Sequence, residues 1–99
     1  MGKKPEAANH EWKLEDDMLA LYLYKVEQEK NISLTQKDMD ELARAFGISI
    51  ADMQARIAHY KQLDGKGGLA DAPEQARQVW DAYWDLSAES LMERLTGRR

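Results

Sequence analysis

Ninety-nine residues with a net charge of −4 at pH 7, no cysteine and two histidines leave room for one compact core and exclude disulfides and thiolate metal sites. His10 and His59 have no neighbouring His or Cys from which to build a zinc site, so no metal and no other cofactor is expected. No apolar run approaches the roughly 20 residues of a membrane span and Met1 to His10 lacks a signal-peptide core, which points to a cytoplasmic chain; the acidic balance excludes a polycationic nucleic-acid coat but not a local basic patch.

Residues 1–11, with Lys3, Lys4 and Pro5, have no apolar period and read as a disordered N-terminal arm, leaving 12–96 as a single helical domain. Leu14, Met18, Leu21, Tyr22 and Val26 fall on one helical face, predicting a first helix over about residues 13 to 29. Glu15, Asp16 and Asp17 occupy its first turn, where carboxylates meet the positive end of the helix dipole. Asn31, Ile32 and Ser33 break the pattern.

Thr35 with Asp38 resembles a capping box, and Met39, Leu42, Ala43 and Phe46 then repeat at helical spacing until Gly47. Ser49 with Asp52 repeats the start signal. The third helix is expected to turn Ile50, Met53, Ile57, Tyr60 and Leu63 inward and to stop at Asp64 and Gly65. Gly65, Gly67 and Gly68 make the next stretch a loop. Asp71 is the expected cap of a last helix, with Pro73 in its first turn and a bend near Ser87. The whole is an all-α, four-helix domain with no strand pattern and no internal repeat.

The second and third helices carry the features of a helix-turn-helix. Two short helices that cross closely need a small residue at the contact, a permissive residue in the turn and apolar anchors beyond it. Ala43, Gly47, Met53 and Ile57 supply them, and the run Leu42 to Ser49 is similar to that of bacterial helix-turn-helix regulators. The same spacing also suits an ordinary helical bundle. On DNA, the third helix enters the major groove with Ala51, Gln54, Ala55, Ala58, Lys61 and Gln62 outward and Arg56 and His59 on the flanks. Gln54 suits adenine and the alanines suit thymine methyls. Arg56, Lys61 and Lys66 are the expected phosphate contacts. Ser49, at the start of that helix, completes the predicted interface.

Elsewhere the chemistry is sparse. Gly65-Lys66-Gly67-Gly68 lacks the strand and the trailing Ser or Thr of a P-loop. The acidic pairs Asp16 and Asp17, Asp38 and Asp40, and Asp81 and Asp85 are all expected on helix surfaces rather than converging in a pocket. No nucleophile, base and oxyanion donor can be assembled, so no catalytic residues and no small-molecule substrate are expected. Trp80, Tyr83 and Trp84 share one side of the last helix, where they serve the core or present a partner interface.

The order Trp12, Glu15, Asp16, Leu19, Ala20, Leu21, Leu23 and Tyr24, followed by Leu42, Gly47, Ser49, Met53, Tyr60, Leu63 and Asp64, resembles the N-terminal region of bacterial HNH restriction endonucleases. The likeness continues through Gly65, Gly68, Leu69 and Ala72 to Val79, Trp80, Tyr83 and Trp84, covering roughly residues 12 to 90. It implies a prokaryotic domain that assists target recognition in a restriction, defence or mobile-element setting. The histidines and asparagine of the nuclease domain have no counterpart in these residues, so the resemblance does not extend to cleavage. The expected partner is double-stranded DNA, with a homodimer as a further expectation; the alternative is a protein-interaction module presenting the aromatic last helix.

Overall fold

The computed structural model describes residues 11–31 and 36–97, so all but the last residue of the proposed arm over 1–11, and the start signal at Thr35, lie outside the described residues. Its first helix, α1 (Leu14–Lys30), differs from the expected amphipathic stripe. Every residue from Asp16 to Leu21 is buried, and so are Leu23, Tyr24 and Lys25. A helix enclosed on several sides has no single apolar face, because α3 (Ile50–Leu63), α4 (Glu74–Tyr83) and α5 (Ala88–Thr96) all pack on it. Asp16, expected at the surface, is buried and accepts the N–H of Lys13 at 3.0 Å, closing one of the unpaired amides at the helix start. Asn31 ends α1 in the left-handed conformation, φ 54°.

Helix α2 (Gln36–Ala45) packs on α3 across the turn at Gly47, which has φ +74°. The Ile48 N–H reaches the Ala43 carbonyl at 2.8 Å and the Gly47 N–H reaches that of Arg44 at 3.1 Å. This pairing satisfies two orphan carbonyls at the end of α2 and needs a left-handed residue between them. Ala43 and Ile48 are both buried, so the turn is anchored in the core. Ser49 then starts α3, its side chain accepting the Asp52 N–H at 3.1 Å.

The described residues form five helices and no strand, one helix more than expected. The predicted bend near Ser87 is a full break: α4 ends with Trp84 as its cap, and Ser87 caps α5. Two charged residues one turn apart on α1 stabilise the break. Lys25 Nζ donates to the Trp84 carbonyl at the end of α4 at 2.7 Å, and Glu29 accepts the Ala88 N–H at the start of α5 at 2.7 Å. A cation at a helix C-terminus and a carboxylate at an N-terminus both complement the helix dipoles.

Asp71 is not the cap of α4. It lies in the preceding loop with φ 63°, while Pro73 is the residue before the helix and offers no side-chain cap. Burial of Ala72 sets the path of this segment.

The loop between α3 and α4 folds back on α3. The Leu69 N–H donates to the Ala58 carbonyl at 3.1 Å, and Gly68, at φ +91°, passes so close that an added Cβ would stand 2.3 Å from that carbonyl oxygen. Among the described residues no helix is long and apolar enough to cross a membrane.

Candidate functional site

Of the side chains expected outward on α3, Ala55 and Ala58 are partly buried. Ser49, Ala51 and Gln54 are exposed, and Lys61 and Gln62 are exposed further along. Met53, Ile57 and Tyr60 point into the core, Met53 and Tyr60 completely. Ser49 also serves as the helix cap, so its hydroxyl is already engaged with Asp52.

Arg56 must be corrected. It is buried at 7 % exposure and makes an ion pair with Asp17 at 3.0 Å, so it is part of the scaffold and not a phosphate contact. Its guanidinium carbon lies 4.0 Å from the centre of the Trp12 ring. The physical reason is angular: Arg56 follows Ala55 by one residue, which turns it from the solvent side toward α1. Asp17 is likewise corrected from surface to core, at 0 % exposure. It accepts from Arg56 of α3, from the Tyr60 hydroxyl at 2.8 Å and from Gln75 of α4 at 2.6 Å. Gln75 also donates to the Trp12 carbonyl at 3.0 Å. One carboxylate therefore ties three helices and the start of the domain together. Burial first, then the negative charge of Asp17 and its hydrogen bond, push the Tyr60 hydroxyl far above the ordinary tyrosine range, with Arg56 opposing.

His59 is half-turned to the loop, its Nδ1 lying 3.0 Å from the Leu69 carbonyl. A carbonyl accepts only from a protonated nitrogen, so this contact fixes Nδ1 as the donor. The loop thus lies against the Ala58 and His59 turn of α3, while the start of the helix, from Ser49 to Gln54, carries no such cover among the described residues. Lys61 and Lys66 are exposed cations at the far end. On α2, exposed Arg44 pairs with Asp40 on its own helix.

The three aromatic residues divide. Trp80 and Tyr83 are partly buried and pack against the core, with Lys25 Nζ 6.0 Å from the Trp80 ring and the Arg94 guanidinium 5.9 Å from the Tyr83 ring. Trp84 is 57 % exposed. Burial lowers the pKa of Lys25, opposed by the charges of Glu29, Asp64 and Asp85. Tyr24 donates to Asp64 at 2.6 Å, and burial followed by that contact raises its pKa.

The Asp17 network was not read from the sequence. Its one signal is an arginine one turn before the inward tyrosine of α3, together with an aspartate at the edge of the apolar run that begins at Met18. Against known families, curated proteins and solved structures, the chain finds no match in any of the three.

Proposed function

We propose that this is a cytoplasmic, non-catalytic domain that binds duplex DNA, with α2 and α3 acting as a helix-turn-helix. The observation that carries the reading is the turn at Gly47. Its paired hydrogen bonds and buried Ile48 fix α3 on α2 while leaving Ser49, Ala51 and Gln54 exposed at the N-terminal end of α3, the end that meets base edges in helix-turn-helix docking.

With Arg56 in the scaffold, phosphate contact falls to Lys61 and Lys66. Few groups on this face hydrogen-bond bases, so shape and backbone contacts carry most of the affinity, and Gln54 carries the direct reading. The resemblance to restriction endonucleases supports a setting in restriction, defence or a mobile element, and a homodimer would present two such helices.

Fluorescence anisotropy against duplex DNA at two salt concentrations tests the reading. Affinity falls with salt as phosphate contacts release counterions. Lys61→Ala weakens binding to all sequences and reduces the salt slope by about 1, whereas Gln54→Ala changes sequence preference. Folded protein without salt-dependent binding to any duplex overturns it.

One observation favours a second reading, protein recognition through the aromatic helix. Trp84 exposes a large ring at the end of α4, the residue type that anchors protein interfaces. Binding of a protein partner that is lost in Trp84→Ala, with DNA binding absent, would select this reading.

A further inference from the structure

The side of α1 away from α3 is a trough. Tyr22, Val26 and Lys30, four residues apart on α1, line two adjoining grooves at once. On one side the wall is α5, with Ala88, Met92 and Thr96, and this groove encloses about 630 Å³. On the other side it is α2, with Leu42, and Leu23 of α1 adds to the floor. Tyr22, Val26, Leu42 and Met92 are partly buried, so the floor is an apolar strip still open to solvent. From Tyr22 to Lys30 it runs about 12 Å at the helical rise, room for some two turns of a further helix lying along it.

The rims are acidic. Glu29, Glu89 and Glu93 stand on the α5 side and Asp38 and Glu41 on the α2 side, against the single ammonium of Lys30. Glu29 also caps α5, which fixes its position on the rim. An apolar strip between two rows of carboxylates is the complement of a helix whose apolar stripe is bordered by Lys and Arg. A second copy of this chain does not fit that description, because each copy carries a net charge of −4. Nucleic acid is repelled by the same rims.

We propose that the trough between α2 and α5 receives a cationic amphipathic helix of a partner protein. None of the α3 residues assigned to DNA lines it, so the two activities are separable and this inference stands or falls independently of the DNA reading.

The probe is a fluorescein-labelled peptide of about 15 residues, Leu at helical i, i+3, i+4, i+7 spacing and Lys elsewhere. A counterpart carries Glu for Lys. Titrated with the full chain, the Lys peptide binds at least about tenfold tighter than the Glu peptide and weakens with salt. Glu89→Lys with Glu93→Lys, both at exposed positions, lowers that affinity about tenfold or more with the helical circular dichroism unchanged. Asp81→Lys on α4 with Asp85→Lys in the break after it makes the same charge change outside the trough and leaves binding within about twofold. A Val26→Asp variant, folded by the same measure, also loses binding. The inference is overturned by equal losses in the two charge reversals, by equal binding of both peptides, or by no binding. Peptide displaced by self-association of the chain overturns it as well.

Discussion

A single guanidinium nitrogen of Arg56 reaches both carboxylate oxygens of Asp17, at 3.0 and 3.3 Å, beneath the ring of Trp12. Neither side chain is accessible to a ligand, and each compensates the burial of the other. Removing one partner of a buried pair leaves an uncompensated charge and costs about 3–5 kcal/mol. Arg56→Ala and Asp17→Ala are each expected to lose about that much in urea denaturation, and the double variant less than the sum. A loss under about 1 kcal/mol in Arg56→Ala would refute the assignment of Arg56 to the scaffold. Compared at equal folded fraction, Arg56→Ala leaves the salt slope of any DNA binding unchanged.

Legibility in the sequence tracked how local the controlling physics is. The end of α2 and the start of α3 were readable because Gly47 and Ser49 act on backbone groups within a few residues. The burial of Asp16 to Leu21 and of Leu23 to Lys25 was not, since it follows from three later helices closing over α1. The same distance hid Arg56, whose partner lies 39 residues away, and turned the bend expected near Ser87 into a full break, which depends on Lys25 and Glu29 of α1. Trp84 was grouped with Trp80 and Tyr83 because all three lie within five residues, yet Trp84 falls where α4 is already ending.

Gly67 and Gly68 share φ +91°, but only Gly68 meets the backbone of α3. Gly67→Ala carries the left-handed strain alone, about 1 kcal/mol. Gly68→Ala adds a collision with the Ala58 carbonyl and must lift the loop, breaking the Leu69 hydrogen bond and the His59 contact. Its expected cost exceeds that of Gly67→Ala by about 1–3 kcal/mol. Equal melting temperatures for the two variants would contradict the packed loop.

Alkaline pH tests the buried phenols. Tyr60 and Tyr24 have folded pKa values raised by burial and by Asp17 and Asp64. A raised value means the associated stability is complete below the unfolded pKa of about 10 and is lost as pH climbs from there toward the folded value. Lys25 acts in the opposite sense, its lowered pKa making stability rise with pH just below about 10.4. With two phenols against one amine, stability is expected to fall above pH of about 10. Tyr60→Phe costs about 1–3 kcal/mol at neutral pH and makes that fall shallower. Ionisation of all four tyrosines near their ordinary pKa in folded protein, followed by ultraviolet absorbance, would contradict the burial.

Trp80 and Trp84, one turn apart, differ in burial. Trp80 packs against the core and its carbonyl accepts the N–H of Trp84, while the Trp84 ring is 57 % exposed. Trp80→Ala therefore removes buried apolar surface and is expected to lose on the order of 2 kcal/mol, which confounds any binding measurement. Trp84→Ala keeps its backbone carbonyl for Lys25 and should change stability by less than about 0.5 kcal/mol. Trp84 is also the ring that acrylamide quenches most readily, so its loss removes most of the quenchable emission. A folded, stable Trp84→Ala protein that retains every binding activity of the parent assigns the exposed ring no part in recognition. A variant of the same stability that loses a protein partner while keeping duplex affinity places that partner on the end of α4.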